Sequence, residues 1–425
     1  MYDVVIVGGR PAGASLAARL GAWGLTVLVV DKATFPSQPE VPSCPVIHQG
    51  TIELFDEIGF KESLYQGTTK ISQSVVQIGE DPPTAAQMPE ARGRGYIYGL
   101  DRSLFDAALW EYLAKFPTVQ TRQGFRVLDV LHSPQGRVIG IEGTGADGVK
   151  EKIQARHCVV GADGRHSLIA RKVGAQIVED RSQYTSTVHF AEWENLAPAT
   201  DQDEPAVHSI TGGRGKNVLF FPSSPGRVNI SAYVRSDRAH GDGDVQRYYM
   251  EILNSFGSVK RRIAGARQLR PIVGMRKIGN RYRLHGGPGW VLVGDALHHK
   301  DPIDTQGIYD ALIESKRLAA LLLSYHQGVL PWDKVLSDYQ DAISQETLEM
   351  FKQTTRAVKS LYQDVPAVVL RTAMRWLMQD PAYRRQSVQF IARAVSPANW
   401  LTAGLVFGAI GRGIKRDLEQ IYFSE

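Results

Sequence analysis

Cysteine is scarce in this chain of 425 residues, and long apolar runs are missing. The two cysteines, Cys44 and Cys158, are too few for a disulfide framework, so we expect a reducing compartment, the cytoplasm. The longest apolar stretch, residues 398–410, is shorter than the roughly 20 residues that a membrane-spanning helix needs. No basic leader precedes the apolar run that begins at Tyr2, so no signal peptide is predicted. These absences argue against a disulfide-rich secreted scaffold and against an integral membrane protein.

Basic charge is concentrated in the C-terminal part of the chain. The net charge is +5, and residues 351–425 hold 11 Lys and Arg against 5 Asp and Glu. No zinc-finger, helix-turn-helix or RNA-binding signature accompanies this charge, so we predict no nucleic-acid partner. The basic residues recur between apolar ones, which predicts amphipathic helices with a solvated charged face. Peripheral contact of these helices with a membrane surface is the alternative interpretation. The oligomeric state stays open.

The chain begins with YDVVIVGGRPAGASLAARLGAWGLTVLVVDK, which reads as a strand, a glycine turn, a helix and a second strand. Gly8 permits the tight turn and Gly13 permits close packing of helix on strand, as in the dinucleotide-binding pattern G-x-G-x-x-G. Asp31 ends the second strand, where an acid accepts a hydrogen bond from a ribose hydroxyl. Arg10 stands in place of the second glycine, and its guanidinium can pair with a pyrophosphate or fold over the ligand. This unit is therefore predicted to bind a nucleotide.

A second glycine pattern, GTGADG at residues 143–148, fits G-x-G-x-x-G letter for letter. It lies between two alternating strands and no helix follows it, so we interpret it as a hairpin turn. Residues 183–270 contain several strand-like runs and a single predicted helix at residues 245–256, and the C-terminal part is helical. The predicted fold class is α/β. It has a Rossmann-like nucleotide-binding domain, an inserted, mainly antiparallel β domain for the substrate and a C-terminal helical region.

Two later motifs each follow a buried strand: CVVGADGRHSLIARK around Asp163 and WVLVGDALHHKDPIDTQG around Asp295. Asp295 is expected at the carboxyl end of its strand, where ligands bind in open α/β sheets, and its carboxylate suits the hydroxyls of a long polyol. The following helix begins near Gly307 and can aim N–H groups at an anionic atom. A nicotinamide dinucleotide needs no second polyol site so far along the chain, whereas FAD does. His298 and His299 are too few for a metal site, so we predict none.

With these three motifs in this order, the sequence resembles the flavoprotein monooxygenases of the p-hydroxybenzoate hydroxylase type. Geranylgeranyl reductases and flavin-dependent halogenases share this superfamily. The resemblance covers about the first 350 residues. We expect an FAD-binding domain made of residues 1–70, 97–180 and 271–350, a substrate domain made of residues 71–96 and 181–270, and a C-terminal helical region at residues 351–425.

The resemblance also implies which residues hold the cofactor. It assigns the ADP half of FAD to the first glycine loop, and a phosphate or ribityl contact to Arg102. It implies that Asp163 contacts FAD and the pyridine nucleotide. The competing interpretation of that motif is a turn formed by its Asp-Gly pair. Residues 302–307 are expected to pass beside the flavin ring. The residues implied to bind FAD are Gly8, Arg10, Gly13, Asp31, Arg102, Asp163, Asp295, Pro302, Gln306 and Gly307.

In such enzymes NAD(P)H binds without a second nucleotide fold and reduces the flavin, and dioxygen then forms a C4a-hydroperoxide. The resemblance therefore implies hydroxylation or epoxidation of an aromatic, polyketide-like or lipophilic small molecule. The halogenase pattern W-x-W-x-I-P is absent, and of the reductase pattern Y-x-W-x-F-P the stretch NVLFFP keeps only Phe221 and Pro222. These departures favour an NAD(P)H-dependent monooxygenase. A flavin-dependent C=C reductase of an isoprenoid or polyketide and a non-catalytic flavin-binding redox sensor are the alternatives.

The candidate substrate residues lie in the loop after the second strand and in the insert. His48 and Cys44 lie in the loop after the second strand, which reaches the flavin in this fold, and His48 is the candidate catalytic base on a phenol. Lone histidines are more often satisfied core or surface groups, which is the competing interpretation. The candidate substrate contacts, all expected on strands of the insert, are Tyr96, His189, Trp193, Phe221 and Tyr233.

Overall fold

The computed structural model describes residues 1–40, 45–199, 204–239 and 243–423. Cys44, which we placed near the flavin, lies outside the described residues. The α-helices of the described residues, numbered in chain order, are α1 (Pro11–Ala22), α2 (Gln49–Glu57), α3 (Arg102–Tyr112), α4 (Leu168–Lys172), α5 (Val245–Asn254), α6 (Gly257–Ile263), α7 (Gly307–His326), α8 (Trp332–Glu346), α9 (Leu348–Ser360), α10 (Ala367–Met378), α11 (Pro381–Ile391) and α12 (Ala403–Phe423).

The first sheet is mainly parallel and is built from apolar, β-branched runs buried on both faces, as parallel strands require. An antiparallel ribbon extends from its long strand and contains the GTGADG turn, so the prediction of a hairpin there is confirmed. The strand order is Gly286–Gly287, Trp290–Leu292, Lys150–Gly161, Tyr2–Val7, Val27–Val30 and Val119–Arg122, with the ribbon formed by Arg126–His132 and Val138–Thr144.

Parallel pairing aligns the carboxyl ends of four strands at one edge of this sheet. Tyr2–Val7 pairs in parallel with both Val27–Val30 and Lys150–Gly161. Lys150–Gly161 in turn pairs in parallel with Trp290–Leu292. The three motifs of the sequence follow directly after these ends. The fold therefore brings together segments that lie far apart along the chain.

Gly8 and Gly13 both have the close contacts predicted for them. Gly8 has a φ of +107°, and a Cβ added there would lie 2.3 Å from the carbonyl oxygen of Ala162. A Cβ on Gly13 would lie 1.9 Å from the carbonyl oxygen of Gly8, because α1 packs directly against the first strand. Only glycine fits either position without moving backbone.

The second sheet belongs to the insert and is antiparallel, apart from one parallel pair between Ala206–Thr211 and Gln73–Ile78. Helices α5 and α6 cover one of its faces with an apolar cluster. The strand order is Arg267–Gln268, Ser186–Glu194, Arg227–Arg235, Lys216–Ser224, Ala206–Thr211, Gln73–Ile78 and Thr84–Gln87, and Val273–Met275 pairs with Ser186–Glu194.

The prediction of one helix at residues 245–256 is wrong, because two helices form. Phe256 adopts an extended conformation between α5 and α6, and its side chain is buried in the insert core. The backbone N–H of Gly257 then donates to Glu80 Oε1 at 2.7 Å. A buried aromatic anchor and a side-chain cap from a distant loop therefore break the helical run.

Two three-stranded sheets complete the described strands. One joins Val46–Ile47, Ile97–Leu100 and Thr68–Ile71, and the other joins Ile177–Asp180, Arg281–Arg283 and His298–His299. Tyr96 precedes its strand by one residue and is not part of it, contrary to our prediction.

Helices α9 to α12 form the predicted C-terminal helical region, and α8 precedes it, so the expected fold class is confirmed. Helix α8 packs on α7, and α10 packs on α12. None of the helices in the part of the chain that the structure describes combines the length and apolar character needed to cross a membrane. The exact domain boundaries stay a prediction.

Candidate functional site

A cavity of about 730 Å³ lies at the edge where the parallel strands end. This volume falls in the range of sites that enclose a cofactor. All three sequence motifs contribute to its wall, together with Arg102 from the start of α3. Of the ten residues predicted to bind the cofactor, those that line the cavity are Gly8, Arg10, Asp31, Arg102, Asp163, Asp295, Pro302 and Gly307.

The glycine loop and Asp31 form one end of the cavity. Asp31 is buried, and its carboxylate accepts hydrogen bonds from the backbone N–H groups of Gly9, at 2.7 Å, and Ala33, at 2.8 Å. These bonds fix the loop against the end of the second strand. Each carboxylate oxygen keeps acceptor capacity for a ligand hydroxyl. Gly13 lies behind the loop, where it serves packing rather than contact.

Arg10 and Arg102 share one buried carboxylate, that of Asp106. Arg10 Nη1 lies 2.5 Å from Asp106 Oδ2, and Arg102 contacts both oxygens of the same carboxylate at 2.9 and 3.0 Å. Arg10 also donates to the carbonyl oxygens of Ser37 and Gln38 and lies over the ring of Phe35. Two guanidinium groups around one carboxylate leave a net positive charge on the cavity wall, which suits a pyrophosphate.

The two later aspartates have different environments. Asp163 accepts hydrogen bonds from Ser167 Oγ and from the backbone N–H groups of Leu168 and Ile169, so it caps the first turn of α4. Burial raises the pKa of this carboxyl, against the lowering effect of those bonds. Asp295 instead exposes its side chain to the cavity from the turn Gly294–Ala296. Asp295 is therefore the carboxylate best placed to hold a ligand hydroxyl.

Residues 301–307, here called the 301–307 loop, lie between Asp295 and α7. Asp301 accepts from Ser186 Oγ and, through its backbone N–H, donates to Asn280 Oδ1 at 2.8 Å. Thr305 has a φ of 58°, a conformation that non-glycine residues adopt only when neighbouring contacts compensate its cost. Gln306 turns its side chain away from the cavity, donating to the carbonyl oxygen of Ile391 at 2.9 Å.

A buried charged cluster lies beneath this end of the cavity. His298 Nδ1 is 2.8 Å from Glu314 Oε1, and Lys300 Nζ is 2.7 Å from both Asp304 Oδ2 and Asp310 Oδ2. Burial alone would lower the pKa of His298, but the carboxylates of Glu314 and Asp310 outweigh it and raise the pKa to about 9. Burial would raise the pKa of Asp310, yet nearby cations, Lys300 first, hold it well below its ordinary range.

A second cavity, of about 150 Å³, adjoins the 301–307 loop and the insert sheet. Pro302 and Thr305 belong to the walls of both cavities. The Oδ1 atom of Asn217 is buried and accepts no hydrogen bond from the described residues. The insert residues that line this cavity are Phe190, Ser209, Thr211, Asn217, Leu219, Phe221, Ser231 and Tyr233.

Two predicted substrate residues, Phe221 and Tyr233, line the second cavity, but His189 and Trp193 do not. Side chains alternate between the faces of a strand, and the side chain of Phe190 packs toward Ile303 of the 301–307 loop. His189 therefore contacts Tyr248 of α5, with ring centroids 5.6 Å apart. Trp193 Nε1 donates to the hydroxyl of Tyr249 on the same helix-covered face.

Tyr96 lies away from both cavities. Its hydroxyl donates to the Glu62 carboxylate at 3.0 Å, and Lys70 Nζ lies 3.5 Å from its ring centroid. The side chains of Tyr98 and Arg94 contact the same Glu62 carboxylate. This arrangement joins α2 and its following loop to the small sheet that contains Ile97–Leu100.

His48 caps α2 behind Thr305 and lines neither cavity. Its Nε2 contacts Thr305 Oγ1, and that hydroxyl donates to the carbonyl oxygen of Asp304. The single proton of the Thr305 hydroxyl is used in its bond to Asp304. In the hydrogen bond between His48 Nε2 and Thr305 Oγ1, His48 is therefore the donor. Burial lowers the pKa of His48 to about 4, which keeps the imidazole neutral near pH 7.

The described residues contain one group of His, Cys or acidic side chains close enough together for a metal ion: Asp3, His157 and His326. It lies at the amino-end edge of the parallel sheet, away from both cavities. His157 Nε2 and His326 Nδ1 are 2.9 Å apart, a hydrogen-bond distance. Arg156 Nη1 already occupies Asp3 Oδ1 at 2.8 Å. We therefore interpret this group as a hydrogen-bonded pair beside an ion pair.

The sequence profile of the FAD binding domain family matches residues 1–353. The chain belongs to this family. It is 24% identical to digeranylgeranylglycerophospholipid reductase 2 of Methanopyrus kandleri, and the match covers 84% of this chain and 86% of that protein. It is 27% identical to the "Probable NADH-specific resorcinol 4-hydroxylase" of Rhodococcus jostii, and that match covers 41% of this chain and 33% of that protein.

Among solved structures, the flavin-dependent brominase Bmp2 is similar over 98% of this flavoprotein and 99% of that chain. The TM-score is 0.76 and the identity 18%, so the likeness shows a shared fold. Together with the family match, it confirms the resemblance to the superfamily of flavin monooxygenases, reductases and halogenases. The protein is an FAD-dependent oxidoreductase.

The residues present fit FAD. Gly8 and the start of α1 would provide the approach for a pyrophosphate, Arg10 and Arg102 the positive charge, and Asp295 an acceptor for a polyol. Asn217, whose buried acceptor atom has no partner among the described residues, was not predicted, because asparagine within a strand has no distinctive sequence pattern.

Proposed function

We propose that this flavoprotein is an NAD(P)H-dependent monooxygenase that acts on a compact aromatic substrate bearing a hydroxyl group. The observation that carries the proposal is the second cavity. Its 150 Å³ hold about one benzene-sized ring, and an extended isoprenoid chain exceeds that volume. Asn217 lies in its wall, and the buried Oδ1 of this side chain, which accepts no hydrogen bond from the described residues, requires a donor such as a phenolic hydroxyl.

Bound FAD would supply the redox chemistry that links oxidation of NAD(P)H to activation of dioxygen. The chain itself would bind and orient the substrate. Phe190, Phe221 and Tyr233 enclose the ring, while Ser209 and Ser231 offer hydroxyls beside Asn217. Pro302 and Thr305 of the 301–307 loop line both cavities, so a substrate in the second cavity would lie next to the larger one.

We propose that His48 acts through Thr305 rather than directly on the substrate. The neutral imidazole donates to Thr305 Oγ1 and so fixes the loop residue with positive φ. A base on the substrate phenol would need hydrogen-bond reach, and His48 lines neither cavity. Its effect on turnover is therefore expected to depend on the position of Thr305.

The test is turnover under ¹⁸O₂ with NADH or NADPH and a panel of monohydroxylated single-ring aromatics. We expect substrate-stimulated oxidation of the nicotinamide and a product that carries one ¹⁸O atom. The Asn217→Leu variant should raise KM by about tenfold or more, because the substrate hydroxyl loses its acceptor. His189→Gln, on the opposite face of the insert sheet, is the matched control and should leave KM unchanged. A product with unchanged oxygen content would contradict the proposal.

A flavin-dependent C=C reductase of an isoprenoid lipid is the second candidate. It is favoured by the similarity to the Methanopyrus kandleri reductase over most of the chain. Such an enzyme needs access to a lipid, and α10 and α12 expose the apolar side chains of Val368, Val369 and Phe407 beside basic residues. We propose peripheral contact of these helices with an anionic membrane as part of this alternative.

Two measurements separate the candidates. The reductase candidate predicts loss of a C=C bond under anaerobic conditions and cosedimentation with phosphatidylglycerol vesicles, weakened in Phe407→Ser. The monooxygenase proposal predicts that turnover stops without oxygen and that no vesicles are required. Oxygen-dependent turnover of a ring substrate together with absent vesicle binding would reject the reductase.

A further inference from the structure

Arg393 lies in the C-terminal helical region, beyond the 353 residues that match the family, yet its guanidinium is buried at the first turn of α7. Arg393 Nη2 is 2.5 Å from Asp310 Oδ1, and Nε donates to Gln306 Oε1 at 3.1 Å. The side chains of Arg393 and Asp310 are 4% and 2% exposed. A residue from the C-terminal region therefore contacts the helix that follows the 301–307 loop.

The backbone around Arg393 is fixed from several sides. Arg393 has a φ of 55°, which costs free energy for a non-glycine residue. Arg92 Nε donates to the carbonyl oxygen of Ala392 at 2.8 Å, and Arg92 Nη2 donates to that of Arg393. A Cβ added to Gly50 would lie 2.4 Å from the Ala392 oxygen. These contacts hold a strained residue in place, as is common where a side chain has a specific role.

Arg393 also completes the charge balance of the buried cluster. The cluster contains three cationic groups, His298, Lys300 and Arg393, and three carboxylates, those of Asp304, Asp310 and Glu314. Removing the Arg393 charge would make the cluster more negative by one unit of charge. Asp310 lines the large cavity, so that charge would lie at the cavity wall.

We propose that Arg393 is a positioning residue that sets the geometry of the 301–307 loop and balances the buried charge next to the bound flavin. This inference rests on the proposed function only in placing the flavin ring beside the loop. It assigns a role to the C-terminal helical region: this region supplies one buried cation to the cofactor site.

The test compares FAD affinity and the flavin midpoint potential in Arg393→Met, Arg393→Lys and the wild type. In Arg393→Met we expect the FAD dissociation constant to rise at least tenfold and the midpoint potential to fall, because added negative charge disfavours the electron-rich reduced flavin. Arg393→Lys keeps the charge and should keep the wild-type potential. It should recover only part of the affinity, because an ammonium cannot bond Asp310 and Gln306 in the geometry of the guanidinium fork.

Arg412→Met is the matched control. It removes an ion pair with Asp380, at 2.6 Å, at the start of α11, whereas Gln306 of the 301–307 loop contacts the last residue of that helix, so affinity and potential should stay at wild-type values. Folded Arg393→Met with unchanged affinity and potential would overturn the inference, as would an equal loss in Arg412→Met. If Arg393→Met does not fold, a lowered potential in Arg393→Lys would overturn it instead. Failure of the wild type to bind FAD would reject the proposed function itself.

Discussion

At the scale of single residues, three predicted aspartates have three different roles. Asp31 binds the glycine loop, Asp163 caps a short helix and Asp295 exposes its carboxylate to the cavity. The sequence placed all three after strand ends and so predicted their proximity. It did not distinguish a carboxylate used by the protein from one left for a ligand, because that depends on partners contributed by other segments.

We expect Asp295→Ala to weaken FAD binding more than Arg10→Ala does. A cofactor contact made by Asp295 would have no substitute, and loss of one charged hydrogen bond corresponds to about 10- to 100-fold in the dissociation constant. Arg10 is already engaged by Asp106 and Ser37, and Arg102 remains when it is removed. Titration of the apoprotein with FAD, followed by flavin fluorescence, measures both constants. Wild-type affinity in Asp295→Ala would remove the role we give this residue.

The raised pKa of His298, about 9, predicts a loss of stability at alkaline pH. The unfolded chain has an ordinary histidine pKa near 6.5. The stabilising protonated form is therefore fully favoured below pH 6.5, and its contribution is lost as the pH rises through 9. We expect the free energy of unfolding to fall by about 3 kcal/mol more in the wild type than in His298→Gln/Glu314→Gln between about pH 6.5 and 10.

Denaturant unfolding across this range is the measurement, and the double variant is the control because it removes both titrating partners together. The same slope of stability against pH in both proteins would show that His298 does not titrate as described. A steeper slope in the wild type below pH 6.5 would also disagree, since the sign of the shift places the loss above that value.

At the scale of elements, hydrophobic pattern predicted the four strands that end at the large cavity but not the direction of side chains in the insert. Strand Ser186–Glu194 is buried on both faces except at its last residue, so alternation gives no sign of which face meets the 301–307 loop. Phe190 faces the loop, whereas the predicted His189 and Trp193 face α5 and α6. The predicted His189 is one residue away from Phe190, which lines the cavity, and this difference of one residue puts its side chain on the opposite face of the sheet.

The contact of α1 with the first strand predicts a strong effect of one methyl group. In Gly13→Ala the new Cβ would meet the Gly8 carbonyl oxygen at 1.9 Å, so we expect a loss of more than about 3 kcal/mol in unfolding free energy. Gly404→Ala is the same change in α12, with no atom within 4 Å of the added Cβ. It should be neutral or stabilise by up to about 1 kcal/mol. Urea unfolding compares them, and equal stability of Gly13→Ala and wild type would contradict the packing described.

At the scale of the whole molecule, the order of three motifs predicted both the fold class and the convergence of distant segments on one cavity. Strand ends, glycine turns and the acidic residues that follow them can be recognised from short stretches of the sequence. The contribution of Arg393 could not be predicted, because it depends on how the C-terminal helices pack across the first 353 residues. The second cavity arises in the same way, between the insert sheet and the 301–307 loop.

We propose that one FAD molecule occupies the large cavity, with its ring at the 301–307 loop and next to the substrate cavity. A crystal structure of the protein with FAD tests it most directly. We predict density for the pyrophosphate at Gly8 and Arg10, for the ribityl chain within hydrogen-bond distance of Asp295, and for the ring against Pro302. Flavin bound elsewhere, or lying with its adenine at Pro302, would contradict the account.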